Sequence, residues 1–281
     1  NISVRNPNYN FSGNSVTASM DVSSTDRSAT SGFNSSRTGF GLGFGFEQYE
    51  NIYISPRLDM AFEDIEVDAD ASSQIKKMEG NFSNIDLYYN ITADHRNQVF
   101  QPTAGYRARF SQSLPIYQDS SSIMNGFDFS KYHGFSDDLI GAAKFYSRAI
   151  HGVDTDVRLS SRLYMPSNRL RGFNIRKVGP KDGGDWIGGN YLTTLGLEAQ
   201  LPNLLPESTR TDVSLFLDSG NLWGVDYSDT IDSSNKIRSA FGITANVFTT
   251  VGPLSFTLAQ DISKSTNDET ETFNFRLGTS F

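Results

Sequence analysis

The sequence has 281 residues, carries 24 Lys and Arg against 32 Asp and Glu for a net charge of -8, and contains no Cys. The negative charge argues against nucleic acid as a partner, and the absence of Cys excludes disulfides, thiolate catalysis and cysteine metal sites. Aromatic residues make up 12% of the chain and stand beside 24 Gly, which favours strands and turns over helices.

The hydropathy of the chain does not predict a transmembrane helix. No apolar run approaches the ~18 residues that such a helix needs, and the mean hydropathy is -0.40. A membrane barrel is compatible with this average, because its strands alternate lipid-facing apolar residues with lumen-facing polar residues. The chain begins at Asn1 without Met or a signal peptide, so we expect a processed chain or a fragment.

Apolar residues recur at every second position in much of the sequence, which is the period of a half-buried strand. Residues 1–13 are polar and turn-like, and residues 16–23 form the first alternating segment. Residues 39–46 alternate apolar residues with Gly, but they lack the Gly-Lys-Ser/Thr ending and the following helix of a phosphate-binding loop. About twelve strands are predicted, and the others lie near 52–62, 85–92, 106–110, 126–135, 139–150, 191–201, 212–218, 241–247, 254–258 and 273–281.

The predicted connections alternate between long and short. Long loops on one rim and short turns on the other, joined by strands with one apolar face, are typical of outer-membrane barrels. The sequence therefore predicts an all-β fold, an antiparallel transmembrane β-barrel. A soluble β-sandwich also has alternating strands but gives no reason for the loop lengths to alternate. Long connections are predicted at 24–36, 63–80, 114–125, 151–190, 219–236 and 261–272, and short ones at 47–51, 95–104, 136–138, 202–209 and 249–253.

Several segments occur in the order in which they occur in a known family. They are LRGFNIRKVGPKDGGDWIGGN, LGLEAQLP, FLDSGNLWG, VGPLSFTLAQ and the terminal FNFRLGTSF. Together they resemble the successive signatures of the BamA/TamA-type bacterial surface antigen family of outer-membrane assembly factors. The resemblance is dense from Leu170 to Phe281 and thinner from Asn1 to Met165, where TADHRNQVFQPTAGYRARFS matches a family strand pair. The family's sixteen-strand barrel implies that this chain is truncated on its N-terminal side.

The resemblance assigns a role to Arg171, which matches the arginine of the family's loop motif. In the family this loop folds back into the barrel lumen, and the arginine's partners match Glu198 and Asp218. The strand alternation independently places both carboxylates on the polar, inward face of neighbouring strands. An arginine fork binds two carboxylates at once, so these residues would form a lumen ion-pair lock that holds the loop. The alternative is two unrelated lumen charges solvated by water.

Glycines are frequent in the same loop motif. Gly172 and the pair Gly188-Gly189 suit a loop that turns sharply against an inner wall, although ordinary turn glycines are the alternative. Pro166-Ser167-Asn168 stands where the family usually has a Gly-Gly pair, which leaves the geometry at the start of the loop open. The residues that match the loop motif are Leu170, Gly172, Phe173, Gly179, Pro180, Gly188 and Gly189.

The last predicted strand carries Phe273, Phe275, Leu277 and the final Phe281 on one face. This pattern resembles the terminal strand signature by which barrel proteins are recognised for assembly. A lipid-facing strand with an interfacial aromatic residue is the simpler interpretation, and the two are compatible.

The resemblance implies that residues 1–281 are the single barrel domain of an insertase, with the periplasmic repeat domains absent. The insertase would template strands of client barrels at a lateral seam. Its implied partners are outer-membrane lipid, unfolded β-barrel clients and, through the missing domains, accessory lipoproteins. We expect location in the bacterial outer membrane, with both termini periplasmic because long loops face outward. A family-related secretion or translocation pore and a passive porin are the alternatives.

Catalysis is not expected. The residues His95, His133 and His151 are isolated from one another in the predicted strands, and no Gly-x-Ser-x-Gly elbow or metal-spaced His pair occurs. We therefore expect a protein that is not an enzyme and that needs no metal and no cofactor.

Overall fold

The computed structural model describes residues 1–119, 121–153, 155–227, 231, 236–250 and 252–277. Within these residues, thirteen strands form one antiparallel sheet in which each strand pairs with its neighbours in the chain. The strands of this sheet are β1 (Ile2–Asn6), β2 (Ser15–Asp26), β3 (Phe33–Tyr49), β4 (Ile52–Val67), β5 (Gly80–Asp94), β6 (Ala104–Gln118), β7 (Ser122–Ser136), β8 (Leu139–Gly152), β11 (Tyr191–Leu201), β12 (Thr211–Trp223), β13 (Arg238–Thr249), β14 (Gly252–Ser263) and β15 (Phe273–Leu277).

Short elements occupy some of the connections. The strands β9 (Lys181–Asp182) and β10 (Asp185–Trp186) pair with each other between β8 and β11. The helical segments are α1 (Ser28–Ser31), α2 (Ser73–Lys76) and three 3-10 turns at Tyr9–Phe11, Leu159–Ser161 and Glu207–Thr209. No helix in the described part of the chain is long and apolar enough to cross a membrane.

The alternation in the sequence produces the two faces of this sheet. On the outer face, Val22 and Leu42 are 65% and 63% exposed, whereas Thr194 and Thr257 on the inner face are 2% and 1% exposed. An apolar face is stable in this position when lipid covers it. The predicted all-β antiparallel barrel fold is confirmed. The strands β1 and β15 are the two ends of the sheet and do not pair with each other in the described residues, so the described sheet is open.

Three predictions about segment boundaries were wrong. Residues 1–13 include β1, which pairs with β2 over five positions, and the described sheet therefore has thirteen strands where about twelve were predicted. The predicted long loop at 24–36 is only the connection 27–32, and that at 114–125 is only 119–121. β2 and β3 continue through polar Ser, Thr and Asn residues, which backbone pairing holds in the ladder although they lack the apolar alternation. β6 continues through Leu114, Pro115, Ile116 and Tyr117, where a register shift against β5 interrupts the alternation.

The alternating glycines of β3 leave room for charged side chains on the inner face. A Cβ atom at Gly41 would collide with the guanidinium of Arg57, and one at Gly39 would lie 2.6 Å from an Asp21 carboxylate oxygen. Arg57 instead donates to Asp59 at 2.6 Å and to Ser19 at 2.9 Å. The glycine face is therefore a packing requirement of the neighbouring strands.

The connection between β8 and β11 lies against the inner face of the sheet, and we name residues 153–190 the lumen loop. Two apolar clusters hold it there. One joins the loop to β3, β4 and the connection after each of β4 and β12, and its buried members are Phe33, Ile65, Ala71, Ile75, Leu159, Ile187 and Val225. The other joins the loop to β11, β12 and β13, and its buried members are Met165, Leu170, Phe173, Val178, Leu192, Leu222 and Ala240.

A charge on the outer face should destabilise the fold, whereas the same charge on the inner face should not. Leu87 lies at the middle of β5 and faces outward, and Asn90 on the same strand faces inward. We expect Leu87→Arg to lower the free energy of unfolding in lipid by about 2 to 4 kcal/mol. Asn90→Arg is the matched control, and denaturant titration in lipid vesicles measures both. Equal effects at the two positions would contradict the assignment of the faces.

Candidate functional site

The lumen loop approaches the wall through a turn at Pro166. The carbonyl of Pro166 accepts hydrogen bonds from the backbone N–H groups of Arg169 at 2.9 Å and Leu170 at 3.3 Å. The turn places Leu170, which is fully buried, in the second apolar cluster and Arg171 beside β12. The geometry at the start of the loop, which the sequence left open, is therefore a compact turn that accommodates Pro166-Ser167-Asn168.

Arg171 makes three hydrogen bonds to Asp218 of β12. Its Nε donates to Oδ2 at 2.8 Å, its Nη2 donates to Oδ1 at 2.8 Å, and its backbone N–H donates to Oδ2 at 3.0 Å. Both side chains are buried, with 8% and 2% of their surface exposed. The carboxylate thus binds both the guanidinium fork and the backbone of the loop, which fixes the position and orientation of Arg171.

Glu198 of β11 supplies the second carboxylate, and Lys144 of β8 joins it. An oxygen of Glu198 lies 2.9 Å from Nη2 of Arg171, and the other oxygen accepts from Nζ of Lys144 at 2.7 Å. The guanidinium also lies over the ring of Phe216, 3.7 Å from its centroid. Sequence reasoning brought three of these residues together, and the structure does so too. The structure also places Lys144 at the site, so that two cations balance the two carboxylates.

The neutrality of the site is what makes its burial possible. Taking charges out of water costs several kcal/mol per ion unless paired charges and hydrogen bonds compensate. Burial lowers the pKa of Arg171, but the hydrogen bonds and charge of Asp218, with those of Glu198, more than offset this, so the pKa lies above its ordinary value. Arg171 stays charged, and the site holds the loop as long as every partner is present.

Two glycines of the loop motif permit close approach to the wall. Gly172 has φ +87°, and a Cβ atom there would lie 2.9 Å from the Cβ of Ala259 and 3.3 Å from that of Ala240. Gly179 has φ +103°, and a Cβ atom there would lie 2.7 Å from a methyl group of Leu222. At both positions the positive φ and the lack of room for a Cβ atom favour glycine, so these residues are more than ordinary turn glycines.

The end of the loop motif returns the chain to β11. The backbone groups of Gly189 and Leu163 exchange two hydrogen bonds of 2.9 and 3.0 Å. The carbonyl of Pro180 accepts from the N–H of Ile187 at 3.2 Å, which closes the β9–β10 hairpin. Gly188 has φ +72°, and a Cβ atom there would lie 2.5 Å from the carbonyl oxygen of Leu163. The motif residues therefore form the two ends of one folded loop.

The terminal strand signature lies on the outer face of β15. Phe273, Phe275 and Leu277 are 55%, 50% and 63% exposed, and the ring of Phe275 lies 5.1 Å from that of Phe256 on β14. Phe281 lies outside the described residues. The described part of the signature faces outward, where lipid would be, on the face of the sheet opposite to the one that Arg171 contacts.

Sequence reasoning missed several buried charges of the loop and its surroundings. Nη1 of Arg158 lies 3.5 Å from Oε2 of Glu63, and the side chains of Arg238 and Asp268 form a fully buried ion pair. Loop residues follow no period, so no pattern in the sequence reports which way these side chains point. The inward orientation of Lys144 could have been predicted, because it occupies an inward-facing position in the alternation of β8. Among the described residues, no group of three His, Asp or Glu is arranged to hold a metal ion.

An antiparallel sheet with an apolar outer face, a polar inner face and a long loop ion-paired to its inner wall defines an outer-membrane-type β-barrel wall. The chain matches the Omp85 superfamily domain over residues 1–281, and it belongs to that superfamily. The match to the superfamily therefore includes residues before Leu170, where the sequence motifs are sparser, as well as the motif-rich residues after it.

Individual relatives give the same result. The chain is 24% identical over 226 residues to the outer membrane protein assembly factor BamA of Neorickettsia risticii, which covers 77% of this chain and 30% of that protein. It is 27% identical over 172 residues to the human sorting and assembly machinery component 50 homolog, covering 57% of this chain and 36% of that protein. The chain thus spans about a third of the length of these relatives.

A solved structure shares the fold. The crystal structure of BamA from Haemophilus ducreyi lacking POTRA domains 1-3 superposes with a TM-score of 0.87 at 21% sequence identity. The match covers 97% of this chain and 60% of that one. The arrangement of strands described here is therefore that of a known barrel, although four in five aligned residues differ.

Asp218→Asn should lower the free energy of unfolding, because it weakens the attachment of the lumen loop to the wall. The change removes one carboxylate from a buried neutral site, and orphaning a buried charge costs about 3 to 5 kcal/mol. Denaturant unfolding in detergent micelles measures the loss. The control is Asp21→Asn, whose pair with Arg37 at 2.5 Å is partly exposed and should contribute no more than about 1 kcal/mol. Similar losses in the two variants would mean that solvent compensates the charge at Arg171.

Proposed function

We propose that the protein inserts and assembles β-barrel proteins in the outer membrane. Membership of the Omp85 superfamily and the similarity to assembly factors in bacteria and in human support this proposal. The observation that carries it is the Arg171 site, in which a neutral cluster of buried charges seats a long loop against the inner wall. A passive pore has no need of a buried ion-pair cluster on its inner wall, whereas an insertase needs its wall held in a defined state.

The edge of the sheet supplies the chemistry of insertion. β15 pairs with β14 over five positions, and its other edge has no strand partner among the described residues. Unpaired backbone N–H and C=O groups on a strand edge template the pairing of an incoming strand. An unfolded client would add its strands there, with main-chain hydrogen bonds giving affinity and the lipid-facing apolar side chains setting the register.

Location and partners follow from the same proposal. The outer face of the sheet, with its exposed Leu and Phe residues, contacts outer-membrane lipid, and unfolded β-barrel proteins are the clients. Accessory lipoproteins would bind through parts of the longer relatives that this chain does not span. The connections after β4, β8 and β12 are long and lie on one rim. We place that rim outside the cell and the opposite rim in the periplasm.

The proposed function includes no covalent step. His95, His133 and His151 each contact an aromatic ring, at centroid distances between 4.8 and 5.3 Å, and each belongs to a different part of the sheet. Strand templating requires only backbone hydrogen bonds and exposed apolar surface. We therefore propose a non-enzymatic role, because none of the groups used in strand templating performs a covalent reaction.

Depleting the protein in the cells that make it tests the function. We expect the amounts of other outer-membrane barrels to fall several-fold together, while inner-membrane proteins keep their levels. In vesicles, the purified protein should accelerate the folding of an urea-unfolded client barrel relative to protein-free vesicles. Unchanged barrel levels, combined with solute-selective conductance in planar bilayers, would contradict the proposal and identify a porin.

The orientation can be tested separately because the chain has no Cys. Lys77 is exposed in the connection after β4, and Asp137 is exposed in the turn between β7 and β8 on the opposite rim. We expect a membrane-impermeant maleimide to label Lys77→Cys on intact cells, and Asp137→Cys only after the outer membrane is permeabilised. Labelling of Asp137→Cys on intact cells would reverse the orientation.

A further inference from the structure

The lumen loop is hydrogen-bonded to the connection that leads into the last strand. This connection comprises residues 264–272, between β14 and β15. The N–H of Asn174 donates to the carbonyl of Glu269 at 2.9 Å, and the N–H of Glu271 donates to the carbonyl of Gly172 at 3.0 Å. Together with a third bond from Glu269 back to the loop, these form a short antiparallel ladder. We name it the clasp, defined by residues 172–177 and 269–271.

A buried carboxylate fixes one end of the clasp. Asp268 accepts from Nε of Arg238 at 2.9 Å and from Nη2 at 3.1 Å, which is a bidentate pair with no exposed side-chain surface. The same carboxylate accepts from the N–H of Gly179 at 3.1 Å and from the N–H of Ser265 at 2.6 Å. Asp268 therefore ties three segments together: the lumen loop, the start of β13 and the connection into β15.

Side chains reinforce the clasp at the solvent side. Nζ of Lys177 lies 2.7 Å from a carboxylate oxygen of Glu269, and both groups are partly exposed. The indole N–H of Trp186 donates to the carbonyl of Asn267 at 3.2 Å. This bond fixes the position of Trp186 against the connection. These contacts join the loop to the connection, and Asp268 also joins the connection to the start of β13, so the loop and the connection are expected to move together.

The last strand depends on this attachment. Within the described residues, β15 pairs with β14 at five positions, whereas β2 pairs with β3 at twelve. The clasp ends at Glu271, two residues before β15 begins at Phe273. Gly172, where the clasp starts, directly follows Arg171, which is bound to Asp218 at the ion-pair site. A loop that left the ion-pair site would therefore pull on the start of β15.

We propose that Asp268 is a positioning residue that couples the lumen loop to β15. Seating of Arg171 between Asp218 and Glu198 then holds the last strand at the edge of the sheet, and release of the loop frees that strand to exchange partners. The inference rests on the proposed function for its biological role, since the partner gained on release would be a client strand. The coupling itself is a property of this chain and is measurable without any client.

Amide hydrogen exchange on the complete chain in lipid nanodiscs tests the coupling. In Asp268→Asn, we expect exchange at Glu271 and at the amides of β15 to accelerate about tenfold, a change that corresponds to the loss of about one hydrogen bond. Asp218→Asn, which alters the ion-pair site, should accelerate the same amides. The control is Asp21→Asn, which should leave them unchanged. Faster exchange at Glu271 with unchanged exchange throughout β15, or the same acceleration in Asp21→Asn, would overturn the proposal.

A second pair of variants guards against misfolding of the Asp268 variant. Glu271→Pro deletes the N–H that donates to Gly172 and leaves Asp268 intact, whereas Glu271→Ala keeps this N–H. We expect faster exchange in β15 with Pro than with Ala, by about tenfold. Equal exchange in the two variants would also overturn the coupling. Coupling without any effect of these variants on client folding would preserve the clasp and deny it a role in insertion, whereas failure of the proposed function itself would show in the depletion experiment, so the two failures are distinguishable.

Discussion

The buried cluster of Arg171, Lys144, Glu198 and Asp218 is the interaction on which the arrangement of the lumen depends. Arg171 of the lumen loop binds Asp218 of β12 and Glu198 of β11, and Glu198 also binds Lys144 of β8, whose side chain is partly exposed. The cost of removing these charges from water is offset only when all of them are in place. The loop therefore has one favourable position, and the close contacts of Gly172 with the wall follow from it.

The cluster also explains which parts of the site the sequence could predict. A strand has a side-chain period of two, so the inward orientation of Glu198 and Asp218 could be read from their apolar neighbours alone. The register then aligns Gly196 with Asp218, which places the two carboxylates diagonally across adjacent strands. The loop has no such period. The pairing of Arg238 with Asp268 depends on how the connection after β14 folds over the start of β13, and no local pattern encodes it.

The same reasoning accounts for the errors at the strand ends. Alternation reports where one face meets lipid, and it stops where a strand extends beyond the lipid. β2 continues to Asp26 because the backbone ladder continues, although polar residues occupy both faces there, and β6 continues to Gln118 past a register shift at Ile116 that interrupts its alternation. A fold defined by backbone pairing and by the alternation of two broad residue classes tolerates wide replacement of individual residues. This explains a TM-score of 0.87 at 21% identity.

The glycine face of β3 has an electrostatic consequence for the lumen. Side chains from β2, β3 and β4 lie across the strand in place of inner side chains, and they form the pairs Arg37 with Asp21 at 2.5 Å and Arg57 with Asp59 at 2.6 Å. Each charge is paired within the surface of the wall, so the field of the pair falls off faster than that of a lone charge. This side of the lumen therefore presents a nearly neutral surface, despite the chain's net charge of -8.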